Sequence, residues 1–381
     1  MAKDIKVLEQ SSLSNKICVI IGTRPGIVMF APILHELIKL KLDHFIIHTG
    51  QHYSPNMDSQ FFADLELPDP DYKLENVAQK KTHGGQTAAM LEGIENILLK
   101  EKPKMVLVGG DANTNLAGAL AARKLRIQVG HVEAGERSFD WRMPEEHNRR
   151  IIDHISEYLF ATGEKAKKQL IKEAVQGEIF VVGNPIVDAS LQHLELSQKK
   201  SSILQKLDLK SNNYGILTTH REENVDFEEN LKGILKGTAA AANKMKIPIV
   251  FLAHPRTIKR LHEFGLWDWV SALSQIRVIE AVGYLDFLNL IAHAKIVFTD
   301  SGGVQQEACI HHVPAVTVRE NTEWTETLAS GANRLAGTDP DKIVDCAIEA
   351  ISVSTNWNIP FGSGDAAKKI IAICKEKLRR S

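Results

Sequence analysis

The chain has 381 residues, of which 44% are hydrophobic and 24% are charged, and its formal net charge is −1. This composition is typical of an ordinary soluble globular protein, and the length favours two domains over one. The balanced charge gives no general attraction to nucleic acid or to a membrane surface. No apolar run reaches the roughly 20 residues that a membrane-spanning helix needs.

The four cysteines are scattered and lack both CxxC and metal-ligand spacing. Free thiols of this kind are expected in a reducing cytoplasm. The polar stretch up to Asn15 has no apolar core of a signal peptide, which also favours a cytoplasmic protein. Because the cysteines lack metal-ligand spacing, we expect no metal site.

The first predicted strand, residues 16–21, runs into the turn Gly22-Thr-Arg-Pro-Gly26 and then into an amphipathic helix from Val28 to Leu40. A glycine-bearing turn at a helix N-terminus exposes backbone N–H groups that bind anions. Arg24 can add a bidentate bond to a phosphate oxygen. The turn is neither a GxGxxG nor a Walker motif, so it predicts an anion site without specifying the ligand.

Three carboxylates occupy positions where a parallel α/β sheet places its ligands. Asp111 ends a buried strand pattern, Glu133 leaves the next strand, and Glu145 begins a helix after Pro144. Neighbouring parallel strands lie about 4.8 Å apart, so Asp111 and Glu133 can share one pocket. Like charges that close raise one pKa, which lets an acid and a base coexist. Simple helix capping by Asp111 and Glu145, with a solvated Glu133, remains the alternative.

The α/β alternation pauses at Gly183-Asn-Pro185 and then restarts. This pattern indicates a second domain of the same class, with the boundary between residues 184 and 185. Two strands in the second half end at His220-Arg221 and at His254. Each histidine is either structural or placed to meet a phosphate at the strand exit.

The clearest site in the second half is the strand that ends in Ser301-Gly302-Gly303 and opens a helix. Its N–H groups can hold a diphosphate. Glu307, one turn further along, could accept both hydroxyls of a ribose, and Phe287 lies near the start of the preceding helix. The alternative is a simple serine cap with Glu307 exposed.

Taken in order, these motifs resemble one family over about Ile17 to Leu378, the non-hydrolysing UDP-N-acetylglucosamine 2-epimerases. The resemblance is carried by Gly22-Thr-Arg-Pro, Gly110-Asp111, His131-Val-Glu-Ala-Gly135, Pro144-Glu-Glu with Asn148-Arg149, Thr219-His-Arg221, and Asp300-Ser-Gly-Gly with Gln306-Glu307.

The resemblance implies a glycosyltransferase-B-like pair of Rossmann-like domains with parallel sheets facing a cleft. Residues 1–184, completed by the C-terminal helix 366–381, would form the domain with the catalytic carboxylates, and residues 185–365 the UDP-binding domain. Such enzymes work without a cofactor on a UDP-sugar, which they epimerise by anti elimination of UDP to 2-acetamidoglucal and re-addition. We accordingly expect a cytoplasmic homodimer that supports polysaccharide synthesis.

Roles follow from the resemblance position by position. The expected catalytic residues are Asp111, Glu133, Glu145 and His220. The expected substrate-binding residues are Arg24, Arg149, Arg221, His254, Phe287, Ser301, Gly302, Gly303 and Glu307, with Ser301 to Gly303 on the phosphates, Glu307 on the ribose and Phe287 against the uracil.

The chain departs from the family pattern at two usually basic positions, where it has Met29 and Trp324; Gly26 also replaces a glutamate. Each lost charged hydrogen bond is worth about 1.5–3 kcal/mol, so affinity for the usual substrate could fall tenfold or more. The sugar could therefore differ. Relatives with Glu-Trp at the second position and a similar loop over residues 48–53 include epimerases of UDP-2,3-diacetamido-glucuronate.

Two further alternatives remain, a UDP-sugar glycosyltransferase on the same scaffold and a degenerate protein that only binds UDP. The carboxylates argue against simple binding, because holding an anion does not require them. The absence of GxGxxG disfavours epimerisation through a keto intermediate on NAD.

Overall fold

The computed structural model describes residues 8–51 and 61–380, which form two compact units. The first unit takes in the described residues up to Ala189 and from Phe361 onward; the second is Ser190–Pro360. His52 and Tyr53, from the loop mentioned above, lie outside the described residues. Each unit alternates strands with helices around one parallel sheet, so the predicted α/β class is confirmed.

The sheet of the first unit has seven strands in the order β3-β2-β1-β4-β5-β6-β7, and every neighbouring pair is parallel. Its strands are β1 (Ser14–Ile21), β2 (His44–His48), β3 (Tyr72–Lys73), β4 (Pro103–Gly109), β5 (Gln128–Ala134), β6 (Tyr158–Ala161) and β7 (Glu178–Val181).

Helices cover this sheet because their apolar faces pack on its buried strands. A short 3-10 turn, Gln10–Ser12, precedes β1. The helices are α1 (Arg24–Lys39), α2 (His83–Glu101), α3 (Asn113–Lys124), α4 (Pro144–Ile155), α5 (Glu164–Lys172), α6 (Pro185–Lys200), which runs on into the second unit, and, at the end of the chain, α16 (Ala366–Arg380).

The second sheet has six strands in the order β10-β9-β8-β11-β12-β13, again all parallel. Its strands are β8 (Gly215–Thr218), β9 (Ile249–Ala253), β10 (Ile276–Glu280), β11 (Ile296–Thr299), β12 (Ala315–Thr317) and β13 (Asn333–Leu335). Its helices are α7 (Ile203–Lys206), α8 (Glu222–Val225), α9 (Glu228–Met245), α10 (Pro255–Glu263), α11 (Trp267–Ser271), α12 (Tyr284–Ala292), α13 (Gly302–Ile310), α14 (Thr325–Ala329) and α15 (Pro340–Ser352).

The C-terminal helix α16 belongs to the first unit and packs on α1. The buried carboxylate of Asp188 holds its start, because it accepts the N–H groups of Ala366 at 3.2 Å and Ala367 at 3.0 Å. These bonds satisfy two of the backbone donors that a helix N-terminus leaves open.

Register places the expected site residues at neighbouring strand exits within each unit. Gly109 of β4 pairs with Val132 of β5, so Asp111 and Glu133 follow adjacent strands. Thr299 of β11 pairs with Thr218 of β8, which puts Ser301 beside the strand exit of His220.

Two helices begin earlier than the sequence pattern predicts. Helix α1 starts at Arg24, four residues before Val28, because the Thr23 hydroxyl accepts the Gly26 N–H at 3.3 Å and caps it. For α2 the apolar spacing predicts a start at Thr87, but the helix begins at His83, because Thr82 accepts the Gly85 N–H at 3.1 Å and caps it. None of the helices within the described ranges has the length and apolar character for crossing a membrane.

Candidate active site

Glu133 stands at an irregularity in the sheet. Its backbone is left-handed, with φ at 68°, and the pairing of β5 with β6 shifts register between Val132 and Ala134. This is a β-bulge, a feature that re-aims a side chain where a strand ends. Left-handed backbone costs a non-glycine residue about 1 kcal/mol or more, so the surrounding structure must hold Glu133 there.

The environment of Glu133 favours its protonated form. Burial is the main cause that raises the pKa of this carboxyl to about 8, and the charges of Asp111 and Glu136 raise it further; Arg149 and a hydrogen bond from Asn184 act in the opposite direction. The Asn184 amide donates to Glu133 Oε2 at 3.3 Å. Glu133 can therefore hold a proton near neutral pH and release it to a neighbour.

Asp111, on the adjacent strand exit, is instead paired with a cation. The Arg149 guanidinium of α4 forms a salt bridge with Asp111 Oδ2. The Asn148 amide fixes the same loop, donating to the Asp111 carbonyl at 2.8 Å and to Asn113 Oδ1 at 3.0 Å. The pair of carboxylates is thus chemically unequal, with Asp111 beside a positive charge and Glu133 in a desolvated position.

Glu145 and Arg24 both lie in the first turn of a helix. Glu145 is partly buried in α4, one turn before Arg149, while the adjacent Glu146 is fully buried. Glu146 accepts the Ser138 N–H at 2.8 Å and the Arg150 guanidinium at 2.9 Å, which makes it a structural residue. Arg24 is exposed at the first position of α1.

Sequence reasoning missed a buried ionic network behind the carboxylates. His131, Asp153 and Arg137 are buried, and Arg137 bridges Asp153 at 2.7 Å and Glu173 at 2.6 Å. Burial alone would raise the pKa of Glu173, but hydrogen bonds from Arg137 and Gln169 outweigh it and lower this pKa to about 2. The histidine of the His131-Val-Glu motif was a signal for this network, although its partner is 22 positions away.

Met29 takes a packing role at a usually basic position. It is 8% exposed, and its sulfur lies 2.9 Å from the point where a Cβ on Gly109 would be. Met29 therefore packs against the backbone just before Asp111, where it contributes apolar contact and no charge.

In the second unit, Asp300 organises the exit of β8. Its buried carboxylate accepts the backbone N–H groups of His220 at 2.9 Å and Arg221 at 3.0 Å, and the Thr219 hydroxyl at 2.7 Å. Burial would raise the pKa of Asp300, but these bonds and the nearby His220 imidazole at 3.3 Å lower it to about 2. An ionised Asp300 thus fixes the backbone that carries His220 and Arg221.

His254 lies beside His220, with the two ring centroids 5.8 Å apart. Its Nδ1 accepts the Arg256 N–H at 3.2 Å and caps α10. Partial burial, together with the charges of His220 and Arg256, lowers the pKa of His254. Because its Nδ1 accepts this hydrogen bond, His254 caps α10 as a neutral ring.

The N-terminus of α13 is built as predicted from the sequence, with Ser301 as its cap residue and two glycines in its first turn. The two glycines differ in their surroundings. A Cβ on Gly302 would collide with Glu323 Oε1 and lie 2.9 Å from Trp324 Nε1, whereas no atom of residues 8–51 or 61–380 lies within 4 Å of a Cβ on Gly303. Open space at Gly303 leaves room for an anion against the helix start.

Glu323 and Trp324 therefore border the same helix start. Arg319 donates to Glu323 at 3.0 Å, and Arg221 lies 4.0 Å from the same carboxylate. The Arg221 Nε–H is buried and has no hydrogen-bond partner within the described part of the chain.

Glu307 and Phe287 lie on the neighbouring helices α13 and α12. Glu307 is 8% exposed, and burial raises its pKa to about 7. This contradicts the alternative of an exposed Glu307. Phe287 is partly buried and packs on the apolar cluster that includes Leu290 and Val304.

The structure thus brings some of the expected residues together in each unit. In the first unit Arg149 pairs with Asp111, and the charges of both side chains act on Glu133, whereas Glu145 and Arg24 are placed only at helix starts of the same unit. In the second, Asp300 holds His220 and Arg221 at the exit of β8, beside β11, which ends at Thr299 two residues before Ser301. Across residues 8–51 and 61–380, no group of three or more His, Cys, Asp or Glu side chains is arranged to hold a metal ion.

The sequence and the structure of this chain are both similar to those of one family of known proteins. The family model for UDP-N-acetylglucosamine 2-epimerase matches residues 36–375. A protein of that name from Methanocaldococcus jannaschii is 49% identical over 361 residues, which are 94% of this chain and 98% of the relative. The crystal structure of the M. jannaschii UDP-GlcNAc 2-epimerase in complex with UDP-GlcNAc and UDP aligns with a TM-score of 0.84, covering 95% of this chain and 99% of the other.

A relative with a different substrate in its name is also similar. The UDP-2,3-diacetamido-2,3-dideoxy-D-glucuronate 2-epimerase of Pseudomonas aeruginosa is 39% identical over 365 residues, which are 93% of this chain and 98% of the relative. The similarity extends over nearly the whole length of each of these proteins.

Proposed function

Since the chain belongs to the UDP-N-acetylglucosamine 2-epimerase family and is therefore an isomerase, we propose that it converts UDP-GlcNAc to UDP-ManNAc without a cofactor. The family and enzyme class predicted from the sequence are thus confirmed. The observation that carries the proposal is the unequal pair of carboxylates, with Asp111 bound to Arg149 and the pKa of Glu133 near 8. The proposal includes a cytoplasmic homodimer that supplies polysaccharide synthesis.

The chemistry explains why unequal carboxylates are useful. The proton on C2 of the sugar is not acidic, so its removal must accompany departure of the diphosphate from C1. In the forward direction Asp111 accepts this proton, the C–H electrons form the C1=C2 bond, and UDP leaves from the opposite face. Glu133 then protonates C2 of 2-acetamidoglucal from the other face, and UDP adds back to C1.

The third carboxylate and the histidine would assist these steps. Glu145, one turn before Arg149, would position the sugar or share in the proton transfers. His220 would meet the departing diphosphate, because Asp300 fixes both the imidazole and the adjacent Arg221 at the strand exit. Donors aimed at developing negative charge stabilise such a transition state.

UDP would be held by groups of the second unit, with Arg24 as a further cation. The N-terminus of α13 at Ser301, Gly302 and Gly303 suits the diphosphate. Glu307 would accept the ribose hydroxyls, and the face of Phe287 would pack on the uracil. Arg221 and His254 complete the set of polar groups at these strand exits.

The alternative sugar has its own support. Met29 supplies no charge beside Asp111, Trp324 supplies none beside Gly302, and the P. aeruginosa relative is named for UDP-2,3-diacetamido-2,3-dideoxy-D-glucuronate. A UDP-sugar with more polar groups than UDP-GlcNAc could bind through other residues, and it would then not need the cations that Met29 and Trp324 replace.

The experiment is incubation in D₂O with each UDP-sugar in turn, followed by NMR of C2. Deuterium incorporated at C2 without an acceptor, together with the epimeric product, supports the proposal, and the substrate with the higher kcat/KM is assigned. If C2 exchanged only in UDP-2,3-diacetamido-glucuronate, that UDP-sugar and not UDP-GlcNAc would be the substrate. Failure of exchange with both, and UDP release only when an acceptor sugar is added, would identify a glycosyltransferase.

A further inference from the structure

His131 is a fully buried histidine in a position that links both catalytic strand exits. Its Nδ1 lies 2.6 Å from Asp153 Oδ1, and its Nε2 lies 3.0 Å from the carbonyl oxygen of Gly110. The side chains of His131 and Asp153 are both 0% exposed. No step of the mechanism above uses this imidazole.

The two partners of His131 indicate its charge. A carbonyl oxygen only accepts hydrogen bonds, and so does an ionised carboxylate, whereas a neutral imidazole has one donor and one acceptor nitrogen. Both contacts are satisfied at once if His131 is an imidazolium that donates from both nitrogens. The competing arrangement is a protonated Asp153 that donates to a neutral ring.

The other oxygen of Asp153 favours the ionised carboxylate. Asp153 Oδ2 accepts the Arg137 guanidinium at 2.7 Å and the Gly135 N–H at 3.2 Å. Donors of this kind, one of them charged, stabilise the anionic form. Arg137 also pairs with Glu173 at 2.6 Å. Positive and negative groups therefore alternate in the order His131, Asp153, Arg137 and Glu173.

The hydrogen bonds of His131 and Asp153 reach the backbone next to both residues that are proposed to react. His131 precedes Glu133 by two positions, and Gly135, which follows it by two, is bound to Asp153. The Gly110 carbonyl, bound by His131, immediately precedes Asp111. One imidazole–carboxylate pair therefore fixes the bulge that carries Glu133 and the left-handed turn, φ 77° at Gly110, that presents Asp111.

We propose that His131 is a positioning residue which, as a buried imidazolium paired with Asp153, sets the separation of Asp111 and Glu133. This inference rests on the proposed epimerase function, since it concerns the geometry of the same two carboxylates. Displacement of a reacting group by about 1 Å can lower a rate on the order of 100-fold, so a link of this kind affects turnover more than binding.

The charge state is tested on the native protein by neutron diffraction from deuterium-exchanged crystals. Deuterium on both Nδ1 and Nε2 of His131, with none on Asp153 Oδ1, is the expected result. Deuterium on Asp153 Oδ1 and on Nε2 alone would overturn the imidazolium. This measurement needs no variant and no activity.

The positioning role is tested with His131→Gln, which retains a donor but carries no charge. We expect kcat for C2 exchange to fall about 100-fold, while KM and the affinity for UDP change by less than about threefold. His154→Gln is the matched control, since His154 is an exposed neighbour of Asp153 whose Nδ1 bonds only the Arg150 carbonyl among the described contacts. It should keep the native rate.

A folded His131→Gln variant with native kcat, or with a changed KM alone, would refute the positioning role. Loss of cooperative thermal unfolding in the variant would also count against the positioning role, because His131 would then be required for the fold as a whole. If the native protein and His131→Gln exchanged the C2 proton at the same rate, only the positioning role of His131 would be refuted. Native protein without exchange defeats the proposed function itself.

Discussion

Glu133 combines two features that are each unfavourable for folding. Its backbone occupies the left-handed region, and its carboxylate form is destabilised by burial and by neighbouring negative charges. A residue selected only for stability at a strand exit would need neither feature. Strain and a displaced pKa are found together at sites where a side chain must exchange a proton.

The raised pKa predicts how Glu133 affects stability. The folded carboxyl has a pKa of about 8, against 4.5 for its ordinary value. Between these values the folded state retains a proton that the unfolded chain has released. The free energy of unfolding contributed by this group therefore falls as the pH rises through this window, and the full penalty is present above about pH 8.

Glu133→Gln removes this penalty, so the variant should become more stable than the native protein as the pH rises. We expect a gain of about 2 kcal/mol at pH 9 relative to pH 5, discounted for the partial exposure of the side chain. Urea unfolding at both pH values measures it. Glu75→Gln, at an exposed loop carboxylate, is the control. An equal difference between variant and native protein at both pH values would contradict the prediction.

Individual residues also show where sequence reasoning reaches its limit. The pattern Pro144-Glu-Glu placed two carboxylates at a helix start, but only the structure shows that Glu146 is buried in an ionic network while Glu145 remains partly exposed. Both residues suit a helix N-terminus equally well. Their difference comes from Ser138 and Arg150, which a local pattern does not relate to them.

Helix α13 shows how an element prepares a site beyond its individual side chains. Its first turn has two glycines, and a methyl group is excluded at Gly302 by Glu323 and Trp324 but meets open space at Gly303. The first glycine is required by packing within the unit. The second is free of that requirement within the described residues, and we propose that its lack of a side chain leaves room for a ligand.

Gly303→Ala should therefore separate stability from binding. Alanine is favoured over glycine in a helix by about 1 kcal/mol, so the fold should be as stable as before or slightly more so. The added methyl enters the proposed phosphate position, and we expect UDP affinity to fall about tenfold or more. Isothermal titration with UDP measures this.

Gly331→Ala, where a Cβ would also meet open space, provides the comparison on a loop of the same unit. Its φ of 80° adds strain, so it should lower stability while leaving UDP affinity unchanged. Native UDP affinity in Gly303→Ala would remove the anion site from this helix start.

At the level of elements, the sequence located most strands and helices because apolar periodicity follows burial. Apolar spacing predicts a strand over residues 158–161 and a helix over Asn113–Lys124, and the structure has both within those bounds. The pattern does not predict β3 or β10, and the other predicted strands differ at their ends by a few residues. The helix starts at Arg24 and His83 were placed too late. Threonine caps determine both, and the glycines that follow suggested loops instead.

On the scale of the whole molecule, the restart of the α/β alternation after residue 184 suggested two similar halves. Strand order in each sheet, and hence which strand exits are neighbours, depends on pairing between distant segments. The link from His131 to Asp153 is of this kind, since it joins β5 to α4. Hydrophobic pattern specifies which residues are buried, but buried polar pairs follow from tertiary geometry.

The proposed division of work between the units can be tested through ligand stabilisation. A ligand at 100 times its Kd stabilises a folded protein by about 2.7 kcal/mol. Asp111→Asn, in the first unit, should abolish C2 exchange and retain this stabilisation by UDP. In the second unit, Glu307→Gln leaves one acceptor for two ribose hydroxyls, so UDP affinity should fall about tenfold, a loss of about 1.4 kcal/mol.

Thermal unfolding with and without UDP distinguishes these outcomes on the full chain. The prediction requires opposite behaviour of two carboxyl-to-amide changes that are similar in size. If Asp111→Asn lost the stabilisation by UDP while Glu307→Gln kept it, the nucleotide would depend on the first unit, and the assignment of Ser301, Gly302, Gly303 and Glu307 to UDP would be wrong. If Asp111→Asn kept exchange at C2, Asp111 would not be the base, because an amide cannot accept the C2 proton as a carboxylate does.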